Sequence, residues 1–193
     1  MKNFIKPMLA AVVGVALAVG TGPVALADSS PSIDRNEYAQ IKRGMTLKQV
    51  KDIADSWGTV TSEFSTSLNR YQFREWAVTT STSPVASADI DFVRKNGAWI
   101  VDEKSVWWTF DPKQTADKVT KSEFRSVSRN MPYWKVKRVF GTWGTKSYER
   151  SSEYGRTLSV LWPVPGSIWG DVEVDFEWRN GRWELEGKSA YWG

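Results

Sequence analysis

Two kinds of apolar spacing alternate along this chain, and they do so twice. Val50, Ile53, Ala54 and Trp57 fall at i, i+3, i+4 and i+7, the stripe of an amphipathic helix. Thr46-x-x-Gln49 precedes them as a capping box, with Met45 and Val50 at the two positions of a hydrophobic staple. A shorter helix is predicted just before, starting at Asp34-x-x-Glu37, carrying Tyr38 and Ile41, and closed by Gly44 as a left-handed cap. Gly58 is read as the stop of the second helix. The period then changes to two. Tyr71–Trp76, Ala88–Arg94 and Trp99–Trp108 read as strands, the last two joined through Asn96-Gly97, a strong hairpin signal.

The same order returns at an offset of 86, as from Met45 to Met131. Thr120, Glu123, Phe124 and Val127 repeat the first helix. Val136, Val139, Phe140, Trp143 and Gly144 repeat the second, with Pro132 replacing the capping Thr46. Leu158–Trp162, Val172–Arg179 and Trp183–Trp192 repeat the strands, with Asn180-Gly181 at the turn and a final offset of 84. The fold class expected is α+β: two tandem units, each a helix-loop-helix plus a three- to four-stranded antiparallel sheet, joined into one concave sheet. The boundaries expected are a signal peptide at 1–27, a first unit at 28–110, a linker at 111–118 and a second unit at 119–193.

The N-terminus explains the first boundary. Lys2 and Lys6 precede an uncharged run, Met8–Gly20, which is too short to span a membrane, and Ala25-Leu26-Ala27 fits a signal-peptidase site. An exported product without a membrane span is implied. Without Lys2 and Lys6, the 26 basic residues fall to 24 against 22 acids, too balanced to suggest a nucleic-acid partner. There is no Cys, so no disulfide can staple the fold, and 12 Trp supply large apolar surface instead.

The motif Ile41-x-x-Gly44-Met45-Thr46-x-x-Gln49-Val50-x-x-Ile53, duplicated and followed by hairpin-rich strands, resembles the beta-lactamase inhibitory protein family. The resemblance implies two helix-loop-helix and sheet units whose concave surface grips class A beta-lactamases while loops plug the active site. It also shows departures. The inhibitors carry a disulfide in each unit. Their first plug holds an aspartate, whereas Phe64-Ser65-Thr66-Ser67-Leu68 has no acid. Their second plug is an aromatic, and Trp169 in Pro165–Gly170 stands at about that place. Small envelope-assembly lipoproteins share the Gly-Met-Thr-x-x-Gln-Val motif, but this chain has no Cys to carry their lipid.

With no His and no Cys, Ser-His, Cys-His and His-metal arrangements are excluded. Acids remain. Glu173, Asp175 and Glu177 share one strand face, as do Asp89 and Asp91. They read as a solvated face, as an acidic stripe for a basic partner, or as a glycosidase pair. Trp57/Trp143, Trp76/Trp162, Trp99/Trp183 and Trp108/Trp192 are matched by the repeat, as are Trp107 and Tyr191; Trp134, Trp169 and Trp178 have no aromatic counterpart. Alternation puts Trp107 and Tyr191 opposite Trp108 and Trp192, so one of the two rows lines the open side of the sheet.

The function expected is an exported, non-enzymatic protein-binding module, an inhibitor that occludes a beta-lactamase-like or other cell-envelope enzyme. No cofactor or metal is implied. The binding residues expected are Ser65, Thr66, Asp91, Trp107, Trp169, Asp175 and Tyr191. A cell-wall or carbohydrate binder using exposed tryptophans is the alternative, and an envelope scaffold factor a further one.

Overall fold

The computed structural model describes residues 32–79, 86–108 and 118–193. The 1–27 leader, most of the 111–118 linker and the middle of the 79–87 loop lie outside the described residues. The element order is α1 (Arg35–Gln40), α2 (Leu47–Ala54), β1 (Thr59–Ser65), β2 (Arg70–Ala77), β3 (Ser87–Lys95) and β4 (Ala98–Trp107), then α3 (Lys121–Ser126), α4 (Tyr133–Phe140), β5 (Thr145–Ser152), β6 (Gly155–Pro163), β7 (Asp171–Arg179) and β8 (Arg182–Tyr191).

The eight strands form one antiparallel sheet in the order β1 to β8. This corrects the α+β reading of two helix-loop-helix units. The chain is mostly one continuous sheet, and the four helices among the described residues have only six or eight residues each. The capping signals gave the right helix starts but overstated how far the helices run. β1 and β5 carry no apolar alternation in sequence; β1 is exposed along its whole length. β4 and β5 join the halves through four register pairs, from Lys104↔Ser151 to Trp107↔Tyr148.

The capping boxes at Asp34/Glu37, Thr46/Gln49 and Thr120/Glu123 are all formed, and Pro132 leaves α4 without a side-chain cap. The helix ends differ from expectation. α1 ends at Gln40, before Gly44, and α2 ends on the left-handed Asp55 rather than on Gly58. Gly44-Met45 docks the helices onto β4 instead: the Gly44 amide donates to the Val101 carbonyl at 2.9 Å, and the Val101 amide to the Met45 carbonyl at 2.8 Å. Asn130, Met131 and Leu185 repeat this ladder at 2.7 and 2.9 Å. Each ladder lands beside a β-bulge, whose extra residue is Asp102 in β4 and Glu186 in β8. Arg43 pairs with Asp102, and Arg129 with Glu186.

Gly58 and Gly144 have a different task from stopping helices. A Cβ at Gly58 would lie 2.5 Å from the Trp76 indole, and one at Gly144 would strike Trp162. The glycines let the chain pass across the two largest core side chains. Two apolar clusters result, one around Trp76, Ile90 and Phe92 under α1 and α2, the other around Trp162, Val174 and Phe176 under α3 and α4. Trp57 and Trp143, expected on the core face, are both 51% exposed, because each lies beyond its helix end.

Candidate protein-binding face

The helices cover one side of the sheet. Val106 and Trp108 point to that side and are buried, so Trp107 points to the other. No helix among the described residues packs on this second, open face. The aromatic row left open is therefore Trp107 and Tyr191, at 52% and 62% exposure.

Strand register assembles the face. Trp107 lies opposite Tyr148, Tyr148 opposite Ser159, Ser159 opposite Asp175, and Asp175 opposite Gly187, so one row across four inter-strand steps holds both Trp107 and Asp175. The Trp107 and Tyr148 rings are in contact, with centroids 4.4 Å apart. The Ser159 hydroxyl donates to Asp175 Oδ1 at 2.5 Å. Tyr191 closes the next rows, opposite Asp171.

Trp169 lies in the β6–β7 loop at the same end of the strands as Trp107 and Tyr191. It is 79% exposed, beside an equally exposed Ile168. It does not pack into the core. The loop is ordered from within: the Ser167 hydroxyl accepts the Trp169 amide at 3.1 Å and the Gly170 amide at 2.7 Å. A loop held in this way loses little entropy on docking.

Ser65 and Thr66 are exposed but stand at the opposite end of the strands, in the β1–β2 turn. The structure does not bring them together with Trp169. Thr66 Oγ1 is occupied in the turn, accepting from the Leu68 and Asn69 amides at 3.3 and 3.0 Å. Beside them is an aromatic stack that sequence reading missed: Phe64 lies against Tyr71 and Phe73, with centroids 4.8 and 5.6 Å away and both rings tilted by 19°. The alternation Tyr71-x-Phe73 against Trp76 was the available signal, since it places aromatics on both faces of β2. Tyr148 was missed because β5 has no apolar pattern.

Acids occupy the middle of the face. Asp91 lies between Phe73 and Glu103 in register. Its carboxyl is pushed up to about 7, first by burial and then by Glu103, Asp89 and Asp102, with Arg150 opposing. Arg150 is already held by Glu103, its Nε and Nη2 at 2.5 and 2.9 Å from the two carboxylate oxygens. Burial also raises Asp89, helped by Glu75, and Glu173, helped by Asp175 and Asp171. Such a surface favours a partner that adds positive charge at the centre and apolar contact at the aromatic end. No group of three or more His, Cys, Asp or Glu among the described residues could hold a metal ion.

The family model described as Beta-lactamase inhibitor (BLIP) matches residues 34–162. The chain belongs to the BLIP family. The match starts at the N-cap of α1 and ends in β6, so it contains Ser65, Thr66, Asp91 and Trp107 but stops short of Trp169, Asp175 and Tyr191. No curated protein matches the chain. BLIP membership makes this a protein-binding chain of an inhibitor family and agrees with a non-enzymatic role. No helix among the described residues is long and apolar enough to cross a membrane.

Proposed function

We infer that this BLIP-family chain inhibits a class A beta-lactamase or a related envelope enzyme by covering its active site with the open face of the sheet. The observation that carries the reading is the ordered, exposed aromatic end of that face. Trp107 against Tyr148, the Ile168-Trp169 tip and Tyr191 are the residue types that dominate interface energetics. Trp169 on its braced loop is the side chain suited to enter an active-site mouth. Asp175 supplies charge that selects a cationic rim, and Asp91, raised to about 7, gains its full charge as such a rim approaches. The apolar run Met8–Gly20 and Ala25-Leu26-Ala27 support export to where such enzymes work. A stable complex of this kind would bury about 1,600 Å² in total.

Steady-state hydrolysis of a chromogenic beta-lactam by purified class A enzymes tests the reading. Inhibition that is overcome by raising the substrate concentration is expected. Inhibition that substrate cannot relieve would count against occlusion. A second reading, glycan binding, is favoured by the flat Phe64–Tyr71–Phe73 stack at the other end of the sheet. It predicts fluorescence changes with peptidoglycan fragments that Phe64→Ala removes and Trp169→Ala does not.

A further inference from the structure

On the helix side, away from the open face, a cleft of about 510 Å³ lies across the junction between the two halves. Its walls come from α1 and the loop after it, from Lys104 on β4, and from β5, β6 and Trp183. Six of its described lining residues are basic, and Glu149 is the one acidic residue among them. Two of the six are engaged elsewhere: Arg43 pairs with Asp102, and Arg150 lines the cleft with its backbone side only, its guanidinium bound to Glu103 on the open face. Lys42, Lys104, Lys146 and Arg156 remain, against Glu149 alone.

The way these four are held matters more than their number. Lys104 Nζ donates to the Tyr38 carbonyl at 2.5 Å and lies 3.8 Å from the centre of its ring, so its position is fixed. Lys42 donates to the Ala39 carbonyl. Both bonds satisfy donors without cancelling charge. Lys146 reaches Glu149 at 3.1 Å. Arg156 lies over a pair of indoles packed edge to face, 4.7 Å from Trp178 and 5.1 Å from Trp183, and its guanidinium makes no hydrogen bond or ion pair among the described residues. This accounts for Trp178, which has no aromatic counterpart in the other half. A guanidinium braced by aromatic faces keeps its donor fork oriented without consuming it.

We propose that this cleft binds a phosphate group, with Arg156 as the bidentate donor and Lys42, Lys104 and Lys146 as the surrounding charge. Four cations against one carboxylate match a dianion, and the guanidinium fork matches tetrahedral oxyanion geometry. Lys104 registers the surrounding positive charge. Burial lowers its ammonium to about 8, and Lys42, Arg156 and Lys146 press in the same direction while Glu149 opposes them. An anion would relieve that repulsion. It would also tie the halves together beside a junction of only four register pairs. The site lies on the face opposite the inhibitor surface, so it stands whether or not the chain inhibits a beta-lactamase.

The test titrates the full chain with inorganic phosphate and with pyrophosphate, at ionic strength held constant with sodium chloride. It reads tryptophan fluorescence and the thermal midpoint. Saturable binding with a dissociation constant below about 1 mM is expected, together with a midpoint that rises with ligand concentration. Arg156→Gln should weaken binding at least about tenfold, the loss expected from removing a charged, bidentate donor. Lys42→Gln, on an exposed loop, provides the same reading should Arg156→Gln fail to fold. Lys137→Gln removes an equal charge from α4, outside the cleft, and should leave binding unchanged. Sedimentation with phosphatidylglycerol–phosphatidylcholine vesicles identifies the source. Vesicle binding displaced by pyrophosphate assigns the site to a lipid headgroup, and its absence alongside saturable binding of the free anions assigns it to a soluble phosphate. The proposal is overturned if neither anions nor vesicles bind, or if Lys137→Gln weakens binding as much as the cleft variants do.

Discussion

Gly58 shows what a single residue decides in this fold. Its positive φ of 61° and the Trp76 indole beneath it both exclude a side chain. Gly58→Ala combines overpacking with a strained backbone and should cost about 2–4 kcal/mol in denaturant unfolding. Gly97 also has positive φ but faces open space, so Gly97→Ala should cost only about 1 kcal/mol. Equal losses would show that backbone strain, not contact with Trp76, sets the requirement. Asp91 decides a pH response. Its folded value of about 7 lies above the ordinary 3.8, so the folded chain binds the extra proton between those values. The stability this contributes is present below about pH 4 and is lost as pH rises towards 7. The stability difference between the native chain and Asp91→Asn should therefore fall across that window and level off above about pH 8. A flat difference from pH 4 to 8 would place Asp91 in ordinary solvent.

Among the elements, the helix starts were legible and their ends were not. Capping is local chemistry written in four residues, and Thr46 with Gln49 forms the box its spacing implies. Thr46→Ala should lose about 1 kcal/mol of stability, measured by urea unfolding. The ends depend on distant partners: Gly44 is claimed by Val101 and Gly58 by Trp76, so neither serves as a helix cap. Lys104 and Lys188 were invisible for the same reason. Each crosses from a strand to the carbonyls near the end of a short helix, Lys104 to Tyr38 and Lys188 to Phe124 and Val127. Strands with one apolar side were legible. β1 and β5 were not, because β1 is exposed throughout and β5 turns Lys146 and Glu149 towards the cleft.

At the scale of the whole molecule, the repeated order of elements was readable but the single sheet of eight strands dominates the fold class. Its continuity rests on β4 and β5, a pairing that no local pattern announces. That continuity is also what gives the candidate site its form, since Trp107 and Tyr148 meet only across the junction. Ser65 and Thr66 looked comparable to Trp169 in sequence because strand direction, and so the end at which a loop emerges, depends on how many strands precede it. Missing β1 and β5 removed that count. Calorimetric titration of the full chain into a class A beta-lactamase puts binding through the aromatic end of the open face to the test. One-to-one binding is expected, weakened by about 2 kcal/mol or more, roughly thirtyfold, in Trp169→Ala and again in Trp107→Ala, with the thermal midpoint unchanged in Trp169→Ala. Heats that vanish at about 10 µM across a panel of such enzymes, or binding that both variants leave intact, would contradict it.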